Sequence, residues 1–292
     1  MTGQGGLAAS VPWWGKILAK LLLARLPVPH RVWRRLRVFR HGFMDDTDYA
    51  WRVLSHHLGH YQQFNHNAIP GDVLELGPGD SAFSGAFGAA LGVRRTYLVD
   101  VAPFLSWEAD TRERVSAYLA KAQPDLDLPE GPGLEGIRTT YLTAGLESLR
   151  SLPDASVDLI WSQAVLEHLP RRTFPAFLAE MRRIVRPGGV LSHRVDLKDH
   201  LGGGLNHLRF PESVWESSWF RKSGFYTNRL RRSEILSAFT QAGFEIAMVT
   251  EERWPELPTP SEKLAEPYRS LSAAELSVSG FDLVLRPSEG QR

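Results

Sequence analysis

Five short runs of β-branched and aliphatic residues alternate with helical patterns from about residue 72 onward. This alternation is typical of a parallel sheet whose strands are joined by crossover helices. Two further runs follow near the C-terminus. We therefore expect an α/β fold with a seven-stranded, mostly parallel sheet and helices on both faces. The predicted strands are Val73–Leu76, Thr96–Asp100, Ile137–Leu142, Val157–Ser162, Val190–Asp196, Phe244–Thr250 and Gly280–Arg286.

The helical patterns between these runs place the domain boundaries. A main domain is predicted at 61–292, after a helical extension or cap at 1–60. A helical pattern at 261–276 predicts a cap or lid, assigned to residues 261–280. The other predicted helices are Phe83–Leu91, Trp107–Ala122, Ala164–Leu169, Phe174–Val185, which Arg186-Pro-Gly-Gly189 ends, and Arg231–Ala242.

The N-terminal extension is strongly basic, although the 292-residue chain has a net charge of +1. Eight Lys and Arg residues lie between Lys16 and Arg40, with no acidic residue among them. Together with Trp13 and Trp14, they predict two amphipathic helices over residues 11–40 that either bind an anionic membrane surface or cap the substrate cleft. The rest of the chain is net acidic, so no nucleic-acid partner is expected.

The chain contains no cysteine, which excludes disulfides, thiolate zinc sites and a cysteine nucleophile. This composition fits a cytoplasmic protein, peripheral to the inner face of the membrane if the extension binds lipid. The His56-His57 pair and His60 do not have a convincing metal-ligand spacing, so no metal is expected.

The most informative stretch runs from Val73 to Ser81, where a strand leads into a glycine turn and a helix begins just after it. Backbone N–H groups and a helix N-terminus converge there. Asp100 ends the second strand, where a carboxylate can accept hydrogen bonds from ribose hydroxyls. Glu75 and Asp80 would repel a pyrophosphate but favour a cationic group. These residues predict a site for a positively charged nucleoside.

Two other interpretations stay open at this point. Gly77-x-Gly79-x-x-Ala82 also fits the dinucleotide fingerprint, which would indicate an NAD(P)-dependent oxidoreductase of Rossmann type. A non-catalytic binding or scaffold protein could retain the same fold. Glu75 itself is either a ligand contact or a structural acid.

Five motifs, in this order, resemble those of the class I S-adenosylmethionine-dependent methyltransferases. They are Glu75-Leu-Gly-Pro-Gly79, Asp100, Leu152–Ile160, Val165-Leu-Glu-His-Leu169 and Arg186-Pro-Gly-Gly-Val190. The resemblance implies a Rossmann-like sheet whose last strand is antiparallel, and S-adenosylmethionine (SAM) as the cofactor.

The resemblance also implies the cofactor contacts. The glycine turn would face the methionine moiety, the second strand end the ribose, the loop after the third strand the adenine, and the fourth strand end the transferring methyl. Ser81 stands where a third glycine is usual, which a negative φ would tolerate. The implied contacts are Glu75, Gly77, Pro78, Gly79, Ser81, Asp100, Val101, Ala144, Gly145, Leu146, Ser162 and Gln163.

Methyl transfer from a sulfonium is an in-line displacement, and a hydroxyl acceptor also needs a base. Histidines that follow the fourth strand, or lie within or after the fifth, are the natural candidates. The predicted bases are His193 and His200, followed by His168 and Asp196. The predicted substrate contacts are Arg194, His207 and Arg209.

Two later segments, Asn206–Phe210 and Asn228–Arg231, are similar to a methyltransferase subgroup associated with glycan assembly. This similarity implies an acceptor oxygen on a sugar, a lipid-linked glycan or a small metabolite. Trp215, Trp219 and Phe220 either stack on a sugar or belong to the core.

Overall fold

The structure of the protein is a computed structural model that describes residues 12–15, 17, 43–105, 107, 109–221 and 223–288. The predicted N-terminal helices over residues 11–40 lie outside this part of the chain except at 12–15 and 17. None of the described helices is both long enough and apolar enough to cross a bilayer.

Seven strands form one sheet in the order β3-β2-β1-β4-β5-β7-β6. Strands β1 to β5 are parallel, and β7 is antiparallel to both of its neighbours. This arrangement confirms the predicted fold class and the antiparallel last strand. The strands are β1 (Asp72–Leu76), β2 (Arg95–Val99), β3 (Thr139–Leu142), β4 (Val157–Gln163), β5 (Val185–Asp196), β6 (Phe244–Arg253) and β7 (Val278–Pro287).

The position of β7 bears on the oxidoreductase alternative. Dinucleotide-binding Rossmann folds have the strand order 3-2-1-4-5-6. Here β7 lies between β5 and β6 and runs against both. The topology therefore favours the methyltransferase interpretation.

Helices cover both faces of the sheet. The longer described helices are α1 (Thr47–Phe64), α2 (Phe83–Ala90), α3 (Ala109–Ala122), α4 (Leu146–Arg150), α5 (Phe174–Ile184) and α6 (Arg232–Gln241). On one face, α1, α2 and α3 pack with Val73 and Trp161, and on the other α4, α5 and α6 pack with Leu74 and Leu191. Short helical turns lie at Gly133–Gly136, Leu166–His168, Asn206–Arg209, Glu212–Trp215, Ser218–Arg221, Ser261–Lys263, Tyr268–Ser270 and Ala273–Leu276.

Most of helix α1 falls within the helical extension predicted at 1–60, but the helix packs as part of the main domain. Asp46 caps it, because its Oδ1 accepts a hydrogen bond from Tyr49 N at 2.8 Å. Buried Leu54 and Leu58 pack it into the same core as α2. The predicted domain boundary at residue 60 thus falls inside a helix of the sheet's own core.

Two predicted helices are corrected. The one at 164–169 is reduced to the turn Leu166–His168, since Ala164 adopts a φ of +55° that ends regular structure. The one at 261–276 is wrong: Pro267 lies in its middle, and a proline removes a backbone donor and disrupts a helix interior. Two single turns and the short helix Ala273–Leu276 form instead.

Residues 197–230, here called the post-β5 segment, form their own layer beside the carboxyl end of β5. One apolar cluster contains Leu201, Trp215, Phe225 and Tyr226. A second joins the segment to the strand connection that follows β6, through Leu205, Leu208, Leu264, Tyr268 and Leu276. The connection is therefore packed against the post-β5 segment, and its lid role stays a prediction.

Candidate active site

The glycine turn after β1 has the geometry that the sequence predicts. Gly77 and Gly79 adopt φ values of +67° and +66°, a region that favours glycine. Gly77 N donates to Val99 O at 2.8 Å, which ties the turn to β2. A Cβ at position 77 would lie 2.7 Å from Val165 Cγ2, so the turn packs directly on the chain that follows β4.

Ser81 fits the turn as expected. It is not among the residues with a positive φ. Its Oγ accepts a hydrogen bond from Phe83 N at 3.1 Å, where α2 begins. The side chain therefore satisfies a backbone donor at the helix start that a glycine would leave to another partner.

Asp100 lies between the glycine turn and the loop after β2. Its Oδ2 accepts from Gly79 N at 3.3 Å, and its Oδ1 accepts from Val101 N at 2.7 Å. The structure thus brings the two strand ends together around one carboxylate, as the sequence predicts. A carboxylate so placed fits the ribose of a bound nucleoside.

The predicted adenine loop closes against the same place. Gly145, with a φ of +54°, donates its N–H to Asp100 O at 2.9 Å. A Cβ at Gly145 would lie 3.3 Å from Val101 Cγ1, so these two residues are adjacent. Ala144 N donates to Ser148 Oγ at 2.9 Å, and Leu146 begins α4. The Ala144 amide is therefore used inside the protein.

Glu75 is a structural acid in this structure. It is buried and accepts a hydrogen bond from Ser84 Oγ in α2. Burial raises the pKa of Glu75 to about 8, against the opposing effect of the Ser84 bond, and nearby Asp100 adds to the rise. The carboxyl is therefore mostly protonated at neutral pH, and it links β1 to α2. Pro78, in the turn that follows, is also buried.

The two residues predicted beside the methyl group point to opposite faces of β4, as strand alternation requires. Ser162 Oγ lies 2.7 Å from His193 Nδ1, and both residues are buried. Gln163 faces α1 instead, where its Oε1 lies 3.3 Å from His57 Nε2 and its Nε2 donates to Tyr49 Oη at 3.5 Å.

The His193 side chain lies between strand β5 and helix α6 and not at the edge of the sheet. It is 1% exposed, and its ring stacks on Phe239 of α6 at 5.7 Å. Burial lowers the pKa of His193 to about 3, so the imidazole is neutral. Of the two bases favoured by the sequence, this one is remote from solvent.

Asp196 ends β5 at the sheet edge. Its Oδ1 accepts from Lys198 N at 2.9 Å and pairs with Lys198 Nζ at 3.3 Å. Asp196 N donates to Glu167 Oε1 at 3.3 Å. Glu167 is buried, and burial raises its pKa to about 8, with a smaller contribution from Asp196. Glu167 was not singled out in the sequence, although it lies inside the Val165–Leu169 motif.

His168 and His200 form a pair at the carboxyl ends of β4 and β5. Their Nε2 atoms are 3.1 Å apart, and the rings stack with centroids 5.0 Å apart. His168 Nδ1 lies 2.9 Å from Tyr226 O. A carbonyl can only accept, so Nδ1 carries the proton and, in neutral His168, Nε2 accepts from His200 Nε2. Two of the four predicted bases thus meet.

Of the three predicted substrate contacts, His207 and Arg209 lie in the same turn after β5, whereas Arg194 lies within β5. Arg194 forms ion pairs with Glu252 at 2.5 Å and Asp282 at 3.4 Å. His207 is buried, and burial lowers its pKa to about 3 against the opposing effect of Asp199. The Arg209 guanidinium lies 5.0 Å from the Trp13 ring centroid. Their role in substrate binding stays a prediction.

Sequence reasoning missed two residues that hold the site's loops. Asp199 accepts from Leu201 N and Gly203 N at 3.0 Å and from Asn206 N at 2.7 Å, which folds the glycine-rich loop after β5. Asn228 Nδ2 donates to carbonyls of the turn that carries His168, Leu166 O at 2.8 Å and Leu169 O at 2.9 Å. Asn and Asp residues close to glycines in a sequence indicate side chains that hydrogen-bond the backbone of a loop.

Among the described residues, no three His, Asp or Glu side chains converge as metal ligands do. The histidines of α1 are used within the protein: Ser192 Oγ lies 2.7 Å from His57 Nδ1 and 2.8 Å from His60 Nδ1.

Comparison with known proteins bears on the assignment. Residues 74–192 match the sequence profile of a family described as "Methyltransferase domain". A curated protein of Mycolicibacterium smegmatis, named "Probable S-adenosylmethionine-dependent methyltransferase/", is 28% identical over 186 residues. That match covers 64% of this chain and 56% of the relative, so it spans little more than half of the relative's length.

Solved structures of similar proteins include a SAM-dependent methyltransferase from Methanosarcina mazei, with 17% identity, a TM-score of 0.46 and coverage of 77% of this chain and 95% of that chain. Another, from Mesorhizobium loti, has 18% identity, a TM-score of 0.43 and coverage of 77% and 97%.

Residues 74–192 are a methyltransferase domain, built on the class I strand order described above. The cofactor of this domain is S-adenosylmethionine, and its enzyme class is the SAM-dependent methyltransferases. The glycine turn and the Asp100 carboxylate fit that cofactor.

Proposed function

We propose that the whole protein transfers a methyl group from SAM to an oxygen of a sugar, a lipid-linked glycan or a small metabolite. The observation that carries this proposal is the His168–His200 pair at the sheet edge. Val165, three residues before His168, packs against Gly77, so the loop that carries His168 contacts the cofactor turn.

The residues divide the work as follows. The glycine turn and Asp100 would hold the cofactor, with Val101 and Gly145 beside its adenine. The cofactor supplies an electrophilic methyl group on a sulfonium. An acceptor hydroxyl that reaches the histidine pair would give its proton to His200, whose Nε2 proton would pass to Nε2 of His168. The Tyr226 carbonyl, which accepts from His168 Nδ1–H, stabilises the resulting positive charge.

The other two predicted bases have less support. Buried His193 is suited to orienting Ser162, whose Oγ is 2.7 Å away, while the Lys198 ion pair engages Asp196.

The predicted aromatic residues differ in exposure. Trp215 is fully buried and donates Nε1–H to Thr227 O at 2.7 Å, whereas Trp219 is exposed and is the better candidate to stack on a sugar.

The test uses purified protein with S-adenosylhomocysteine (SAH) and labelled SAM. We expect SAH to bind, and label to appear in one class among sugars, lipid-linked glycans and small metabolites. His168→Ala and His200→Ala should abolish transfer but keep SAH affinity, whereas the exposed control His66→Ala should keep both. NAD(P)H binding without SAH binding would indicate the oxidoreductase. SAH binding with no transfer across the panel would indicate the scaffold.

We also propose that the basic N-terminal segment brings a cytoplasmic enzyme to an anionic membrane surface. Trp14, at the start of that segment, is 56% exposed, as an interfacial aromatic residue requires. Full-length protein should pellet with vesicles that contain anionic lipid. Replacing Arg31, Arg34, Arg35, Arg37 and Arg40 by Gln should release it, and equal pelleting of both proteins would contradict the proposal.

A further inference from the structure

The N-terminal residues that the structure describes dock into the post-β5 segment. Ile17 is 5% exposed and belongs to the buried cluster that contains Leu201, Trp215 and Tyr226. Trp13 packs on the same cluster, with its ring centroid 6.2 Å from that of Phe210 in an edge-on geometry.

The spacing explains why these two side chains share a surface. Residues 13–15 and 17 are helical, and positions i and i+4 of a helix lie on one face. Trp13 and Ile17 therefore point into the cluster together. The Arg209 guanidinium covers the Trp13 ring at 5.0 Å, which adds a cation–π contact. Trp14 lies on a different face and is exposed.

The cluster that receives them carries both supports of the histidine pair. Leu201 directly follows His200 in the chain. Tyr226 provides the carbonyl oxygen that lies 2.9 Å from His168 Nδ1. Trp215 connects these supports, since its ring stacks on that of Tyr226 at 6.3 Å and lies in the same cluster as Leu201.

We infer that Trp13 and Ile17 are positioning residues for the His168–His200 pair. By filling the cluster behind Leu201 and Tyr226, they hold the Tyr226 carbonyl against His168 Nδ1 and thereby fix the tautomer that lets His168 Nε2 accept from His200. This inference rests on the proposed function of the pair as the base. It also means that the basic N-terminal segment is physically connected to the acceptor side of the enzyme.

The test is long-range ¹H–¹⁵N NMR of the histidine rings in the full-length protein. In the wild type, His168 should show one tautomer, with a protonated Nδ1 and an accepting Nε2. Trp13→Ala and Ile17→Ala should each turn this pattern into a mixture of two tautomers. Trp14→Ala, which changes the exposed neighbour, should leave the single wild-type tautomer unchanged. Ile17→Val should also keep that tautomer, because it retains a β-branched side chain in the cluster.

Binding of SAH to each variant, within about twofold of the wild type, separates this inference from the proposed function and shows that the variant is folded. A single unchanged tautomer in folded Trp13→Ala and Ile17→Ala would overturn the inference and leave the proposed function standing. Failure of the wild type to bind SAH would overturn the proposed function instead. If either alanine variant fails to fold, Trp13→Leu or Ile17→Thr takes its place in the same comparison: a mixture of tautomers supports the inference, and a single unchanged tautomer overturns it.

Discussion

The cofactor side and the proposed acceptor side of this protein are built in different ways. The cofactor side consists of strand ends and backbone groups: two glycines with positive φ, the Gly79 amide and the Asp100 carboxylate. The proposed acceptor side depends on side chains that contact residues far away in the sequence. Asn228 donates to Leu166 O, 62 residues earlier, and Arg231 donates to carbonyls of residues 275–278. A site formed by backbone groups that are close in the sequence should keep its geometry when distant residues change. A site held by side-chain hydrogen bonds between distant segments should lose its geometry when any one of those bonds is removed.

The sharpest way to separate the two sides is to weaken the buried Arg231. Its guanidinium donates to four carbonyls, including Val278 O at 2.8 Å. Arg231→Lys cannot reproduce this fork and should lower the free energy of unfolding by about 3 kcal/mol. Urea unfolding measures the loss, and SAH titration should show less than about a threefold change in affinity.

Arg232→Lys is the matched control for that experiment, because the neighbouring Arg232 forms a part-exposed ion pair with Glu251. It should cost less than about 1 kcal/mol. Equal losses in the two variants, or a large loss of SAH affinity in Arg231→Lys, would contradict the division into two sides.

The reverse experiment removes the carboxylate of the cofactor side. Asp100→Ala should weaken SAH binding about 100-fold, since two charge-assisted hydrogen bonds are lost. The exposed Asp125→Ala should bind like the wild type. Isothermal titration calorimetry gives both affinities, and unchanged binding in Asp100→Ala would refute the assignment of the site.

A smaller effect is expected at the point where the two sides touch. Gly77→Ala faces both a strained φ and a collision with Val165, and it should lower the free energy of unfolding by about 2 kcal/mol. Gly92→Ala isolates the strain, because Gly92 has a φ of +93° but open space around it, and it should cost about 1 kcal/mol. Thermal or urea unfolding compares them, and equal costs would show that the contact with Val165 does not matter.

The two sides are also expected to respond to pH in opposite directions. Glu75, with a pKa of about 8 in the folded protein against 4.5 normally, contributes stability that is lost as pH rises toward 8. His207, with a pKa of about 3 against 6.5 normally, contributes stability that is lost as pH falls below 6.5. Relative to the wild type, Glu75→Gln should gain stability as pH rises and His207→Gln as pH falls, each by up to about 1.4 kcal/mol per pH unit. Urea unfolding between pH 5.5 and 7.5 measures the stability of each variant relative to the wild type. If this relative stability changes in the same direction with pH in both variants, the expectation is contradicted.

The same contrast explains what the sequence could predict. The glycine turn, the position of Asp100 at a strand end and the alternation of strands with helices could be predicted because they depend on neighbours in the chain and on periodicity. The antiparallel last strand was implied only by the resemblance to a known family. The burial of His193 could not, since alternation indicates a face of the sheet and not the depth at which Phe239 covers it. The pairing of His168 with His200 depends on a carbonyl 58 residues further along the chain.

Errors in the helices have similarly local causes. The sequence places helix α1 in the N-terminal extension and not in the core, because its three histidines and other polar residues obscure the apolar positions that pack on the sheet. The helix at 261–276 was predicted from the spacing of apolar residues. That spacing does not take into account that Pro267 disrupts a helix interior. In both cases the missing information was a single residue or a contact made only in the folded chain.

The contact of Gly77 with Val165 has a kinetic consequence. If the proposed function holds, a shift of the glycine turn on nucleoside binding would be passed to the loop that leads to His168, because Gly77 packs on Val165. We therefore expect an ordered sequence of events, in which the sulfonium donor enters first, the second reactant follows, and the demethylated nucleoside leaves last. Product-inhibition patterns in steady-state assays would reveal that order.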